Sequence, residues 1–119
     1  MGIHAYDEIY LSGAQNILGH AVDFAVMSLS IEPDVFGKAL AVSKSAKQFA
    51  QGNPRYVAGV NGPELVREIL DDARISYLAV PDAMYLDKSP EYWAGWALAY
   101  YQWLKNIPFE TILEAGHIA

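Results

Sequence analysis

The residues best suited to chemistry are few and scattered. His20 and Asp23 stand three apart and Asn16 precedes them by a turn, so on a helix all three share a face. Two ligands on one face can begin a metal site. No third ligand follows at a recognisable spacing, so a solvated helix face is the expectation and no metal is assigned. Asp7 and Glu8 form an acidic pair that could serve as a general acid and base. Favourable interaction with a helix N-terminus explains the pair more simply. Ser12, Ser43 and Ser45 lack the Gly-x-Ser-x-Gly setting of a nucleophile elbow. No glycine-rich loop follows a strand to cradle phosphate. His4 and His117 lie near the chain ends and suggest no catalysis. Lys38, Lys44, Lys47 and Arg55 make a modest basic group, expected on a solvated helix face. The sequence therefore predicts no enzyme and no cofactor.

Arg55 stands out among these, held between Pro54 and Tyr56 in a segment rich in turn residues. There it can tie two loops by charge-assisted hydrogen bonds, or it can contact a partner, with the structural role preferred.

The aromatic residues carry the stronger signal. All three tryptophans and three of the eight tyrosines fall within residues 89–104. A membrane span needs about 20 apolar residues, but Lys88 and Lys105 bracket a shorter run that Gln102 interrupts. Burying a Trp hides ~150–250 Å². At ~25 cal/mol/Å² that is about 4–6 kcal/mol as an upper bound. Leaving three exposed would forgo an amount comparable with a domain's whole stability of ~5–15 kcal/mol. On a helical wheel Trp93, Trp96, Ala97, Tyr100 and Leu104 form one stripe, with Tyr92, Ala99 and Trp103 on its flank. The expectation is a central core helix with Trp96 mid-stripe, where truncation to Ala would cost about 3–5 kcal/mol. A flank that also meets a partner is the second possibility.

Helices punctuated by Pro and Gly must position these groups. Apolar residues from Asp7 to about Leu29 recur at helical spacing, and Gly13 and Gly19 leave room for close packing. A second helix is expected from Pro33 to Gln51, closed by Gly52-Asn53-Pro54 with Gly52 at positive φ. Residues 52–63 read as a rigid, shaped connector with a helical turn around Arg55–Ala58. Pro63 opens a helix with Leu65, Val66, Ile69, Leu70 and Ala73 inward. Residues 76–81 read as one extended segment and 81–88 as a loop. Ser89 and Pro90 start the aromatic helix, Ile107-Pro108 end it, and a short helix follows to about Ala115. The predicted fold is all-α, a single compact domain over residues 1–119 with five or six helices around the central aromatic one.

Composition narrows the function classes. The chain of 119 residues is 53% hydrophobic and 18% charged, enough to build a core. It has no cysteine, which removes disulfides and cysteine-held metals and favours a cytoplasmic location. No secretory signal is visible at the start. Net charge is −6, and residues 61–119 hold nine acidic groups against four basic ones. Such a surface repels phosphate backbones, so nucleic-acid binding by this chain alone is not expected.

Three segments carry a resemblance: Tyr-Asp-Glu-Ile-Tyr-Leu at 6–11, Gly-Asn-Pro-Arg-Tyr-Val-Ala-Gly at 52–59, and the run from Asp87 to Trp103. Together they resemble the N-terminal domain of small bacterial helix-turn-helix regulators of Firmicutes. The resemblance implies genes beside small uncharacterised neighbours, some with ADP-ribosyltransferase-like products, in a toxin–antitoxin-like arrangement. The helix-turn-helix of fuller members is not seen before Ile118-Ala119, so the chain is expected to be a short or truncated member.

The expected function is a non-enzymatic module that binds a protein partner or itself, with no membrane role. Arg55, Tyr56, Glu91, Tyr92, Trp96, Tyr100 and Trp103 are the candidate contact residues. The competing expectation is a small-ligand domain or small enzyme. Tyr92, Trp96, Tyr100 and Trp103 would line its pocket, with Arg55 or Glu91 as polar anchor.

Overall fold

The computed structural model describes residues 4–78, 80 and 89–114. Among them there is no strand, and the chain is all-α. A 3-10 turn at Glu8–Tyr10 leads into α1 (Leu11–Asp23), which continues as a π-helical turn over Phe24–Ser28. Then come α2 (Pro33–Val42), α3 (Lys44–Ala50), α4 (Pro54–Val57), α5 (Gly62–Asp72), α6 (Pro90–Lys105) and α7 (Phe109–Glu114). The principal extents are 43 × 28 × 24 Å.

Local chemistry sets most boundaries. Asp7 accepts the Ile9 N–H at 3.0 Å, as expected for an acidic residue opening a helix. Asn61 and Glu64 form a reciprocal capping box at the start of α5, with bonds of 2.8 and 3.1 Å. Ser89 caps α6 by accepting from the Tyr92 N–H at 3.0 Å, and Pro90 occupies its first turn. Gly52 has φ +80°, and two bonds close α3: Gly52 N–H to the Phe49 carbonyl and Asn53 N–H to the Gln48 carbonyl. That is the Schellman arrangement. The expected turn around Arg55 is α4, capped by Asn53. Residues 75–78 follow α5 outside any helix, and the anticipated loop at 81–88 lies outside the described residues.

Two expectations need correction. The helix predicted from Pro33 to Gln51 is two helices, because Ser43 adopts an extended conformation and breaks it. Its hydroxyl accepts the Ala46 N–H at 3.1 Å and donates to Asp72 Oδ2 at 2.7 Å. Those bonds outcompete continuation of the helix, and the described residues form seven α-helices where five or six were expected.

The second correction concerns the centre. α1, not α6, is the hub: α6 packs along one side of it, α5 along another, and α4 also touches it. α2, α3 and α7 complete the far side through α5 and one another. α1 suits this role because it is small where its neighbours press closest. An added Cβ on Gly19 would meet the Tyr92 ring of α6 at 2.7 Å, and one on Gly62 of α5 would meet the α1 backbone at Ala21 at 2.7 Å. The core fills around Leu18, Phe24, Leu40, Phe49, Ile69 and Leu70, all buried.

Candidate functional site

The seam between α1 and α6 decides which face of the aromatic helix turns outward. Gly95 sits against α1 so closely that a Cβ there would lie 2.5 Å from the Leu18 carbonyl oxygen and 2.9 Å from Gly19 Cα. No bulky residue fits at that crossing. The inward face of α6 is accordingly Tyr92, Gly95, Leu98, Ala99, Gln102 and Trp103.

Polar side chains lock this orientation. Tyr92 Oη donates to Asn16 at 2.8 Å, and the Tyr92 ring meets His20 edge-on at 5.0 Å. Burial raises the pKa of this phenol above its usual value. Ser89 Oγ donates to buried Asp23 at 2.5 Å. Gln102 Nε2 donates to the Ala50 and Ile107 carbonyls, both at 3.1 Å. Trp103 Nε1 donates to the Tyr6 carbonyl at 2.7 Å, and His4 stacks on the same indole at 3.9 Å. Asn16, His20 and Asp23 thus anchor α6, although Asp23 alone of the three is buried and Asn16 stays exposed to solvent. No group of three His, Asp or Glu able to hold a metal ion occurs among the described residues.

The outward face is the stripe assigned to the core from sequence. Trp93 is 50% exposed, Trp96 38%, Tyr100 41% and Leu104 38%. Trp93 and Trp96 meet edge to face at 5.8 Å. Pro90, Ala94 and Ala97 fill the intervening exposed positions. α6 carries only two charged residues, Glu91 in its first turn and Lys105 in its last, so its outward face has none in between. Trp96 as a core residue is therefore corrected: the close crossing requires small residues inward, which turns the large ones out.

The seven candidate contact residues divide accordingly. Trp96 and Tyr100 share the outward face of α6, with Glu91 partly buried at its start. Tyr92 and Trp103 are buried and engaged by α1 and the N-terminal segment, so they support the face without being presented by it. Sequence reasoning left Trp93 and Leu104 out of the contact set, although their spacing from Trp96 and Tyr100 placed them on the same stripe.

Arg55 and Tyr56 belong to a different cluster. Arg55 lies 3.4 Å from Glu68 of α5 and over the Tyr56 ring at 5.3 Å, while Tyr56 Oη donates to Glu68 at 3.1 Å. The Arg55 side chain is 64% exposed, so its tie between α4 and α5 is a weak surface bridge. Beside it, Asp72 Oδ2 accepts from Ser43 Oγ at 2.7 Å and from Ser45 N–H at 2.9 Å. Burial opposes the Asp72 charge, but these donors outweigh it and hold the carboxyl below its usual range.

Two clefts open elsewhere. One of about 610 Å³ lies among α3, α7 and the end of α6, floored by Leu40, Ala50 and Phe109 and rimmed by Lys47 and Glu110. The other, of about 420 Å³, runs between α2 and α7. Neither is lined by Tyr, Trp or Arg55. Among the described residues no helix is long and apolar enough to cross a membrane. Compared with protein families, curated proteins and solved structures, the chain matches none.

Proposed function

We propose that the chain is a non-enzymatic protein-interaction module, antitoxin-like or regulatory, that works in the cytoplasm and docks a protein on the outward face of α6. One observation carries this reading: four large apolar side chains stand a third to a half exposed on one helix face without an intervening charge. From the exposed fractions, these four present on the order of 300–400 Å² of side-chain surface, within the range of patches that are often functional. Trp and Tyr are also the residues most enriched at interface centres. The net charge of −6 argues against nucleic acid as the partner. The resemblance to small bacterial regulators points toward a partner encoded nearby.

The test compares wild type with Trp96→Ser and Tyr100→Ser in co-purification against the products of flanking genes. Both variants should keep the wild-type fold with some loss of stability, since each side chain is 38–41% exposed and the rest is covered, and both should lose the partner. Variants that keep every partner, or a wild type that captures none at micromolar concentration, would count against the reading.

A further inference from the structure

We infer that α7 is a latch, which lifts as a unit from α2 and α3 while the rest of the fold stays intact. The argument starts from what holds it down. Phe109 and Ile112 are buried, and the Phe109 ring lies 6.2 Å from that of Phe49 on α3. Glu110 and Thr111 are exposed, and Leu113 is only partly covered. The main contacts of α7 are with α2 and then α3, not with the hub α1. Among the described residues no side-chain hydrogen bond or ion pair ties α7 to another element. Its Thr111 and Ile112 N–H groups donate to the Pro108 carbonyl at 3.1 and 3.3 Å, so those bonds travel with the helix. α6, by contrast, is tied down through Ser89, Tyr92, Gln102 and Trp103.

Space and a pivot complete the device. The cleft of about 610 Å³ reaches Phe109 and Glu110, and that of about 420 Å³ reaches Glu110 and Leu113. A side chain facing a cleft has no partner atoms on that side, so lifting α7 loses little beyond the seating of Phe109 and Ile112. The chain is fixed up to Ile107. Asn106 ends α6 at φ +53° with its N–H on the Gln102 carbonyl, and Gln102 Nε2 holds the Ile107 carbonyl at 3.1 Å. Pro108 then has no N–H to bond back. The pivot therefore falls between Ile107 and Phe109.

A lifted α7 uncovers an apolar seat at Phe49 and Leu40, shaped for a helix that presents an aromatic and an aliphatic residue three positions apart. In the closed state the chain's own Phe109 and Ile112 fill that seat and withhold it. Elements that move are drawn from the least stable part of a fold, and α7 has the weakest hold of the longer contacts described above.

Hydrogen exchange on the wild-type chain tests the latch. The Ile112 and Leu113 amides should be protected about 100-fold less than that of Leu18 in α1, and low urea should speed Leu18 far more than either. The chain has no cysteine, so single buried thiols add a second reading. Ile112→Cys and, in the seat, Leu40→Cys should react with a thiol reagent at similar rates, both about 100-fold faster than Ala14→Cys in α1. Equal protection and equal urea sensitivity at Ile112, Leu113 and Leu18 would overturn the latch. A fast Ile112→Cys beside a slow Leu40→Cys would also overturn it, since the helix then frays without leaving its seat.

Discussion

Replacing Gly95 by Ala sets two physical effects against each other, and the sign of the result decides between them. Gly95 lies within the sixteen-residue helix α6. By helix propensity alone, Gly→Ala should stabilise by about 1 kcal/mol. The new methyl, however, would stand 2.5 Å from the Leu18 carbonyl oxygen and 2.9 Å from both the Leu18 carbonyl carbon and Gly19 Cα. These are backbone atoms, which cannot swing aside. Ordinary contact needs roughly 3.5 Å, so α1 and α6 must part by close to 1 Å. A gap of ~0.5–1 Å forfeits a quarter to a half of each contact's dispersion energy, and overpacking typically costs ~1–3 kcal/mol. The seam also holds the Tyr92–Asn16 and Ser89–Asp23 bonds, which lengthen as it opens. The net expectation is destabilisation by about 1–2 kcal/mol. Urea unfolding followed by circular dichroism should show a lower midpoint with an unchanged slope. Ala94→Gly, at an exposed position of the same helix, should cost about 1 kcal/mol and calibrates the propensity effect. A Gly95→Ala protein more stable than wild type would refute the close-crossing account of α6.

Other perturbations read different parts of the structure. Arg74 holds φ +58° where a Schellman turn closes α5, through Ile75 N–H to the Leu70 carbonyl and Arg74 N–H to that of Asp71, so Arg74→Gly should raise stability by roughly 0.5–1 kcal/mol in thermal unfolding. The folded-state pKa of Asp72 is depressed, so its contribution is present above the unfolded carboxyl range and fades as pH falls through the folded value. Asp72→Asn should therefore lower stability at pH 7 and flatten its dependence below pH ~4. A Ser43→Ala and Asp72→Asn cycle should show coupling of about 1 kcal/mol. Tyr6 is the opposite case: burial pushes its phenol up to about 12, so its contribution is whole below pH ~10 and lost as pH rises toward that value. Its hydroxyl has no hydrogen-bond partner, so Tyr6→Phe should be neutral or stabilising at pH 7 and should soften alkaline unfolding.

Where the sequence was legible, a single residue carried a strong local preference. Ser89-Pro90, Asn61 with Glu64, and Gly52 before Asn53 each set a boundary through a side chain or a φ angle that acts within a few positions. Ser43 carried the same kind of signal and was hidden by the apolar residues on both sides, which kept helical spacing across the break. Its decisive partner, Asp72, is 29 residues away, and nothing in the local pattern announces it. The anchors of α6 are of this kind too. Asn16, His20 and Asp23 look like a polar face on α1 until Tyr92 and Ser89, 66 to 76 positions along, are brought against them.

The orientation of α6 failed for a deeper reason. A helical wheel weighted by hydrophobic bulk assumes that the largest residues point inward. That holds when helices pack at the usual 8–10 Å separation through interdigitated side chains. α6 meets α1 through glycine, and a seam that tight selects for smallness instead of bulk. Gly19 and Gly95 were the residues to pair, yet only Gly19 was read as a packing signal, because Gly95 is surrounded by aromatics that drew attention to themselves. Nor does a Trp have to be either fully buried or fully exposed: Trp93 and Trp96 are half and nearly two-thirds covered, so what is left in water is a fraction of the sum. The uncovered remainder is continuous from Trp93 to Leu104 on one face, and that continuity gives α6 a surface another polypeptide can cover.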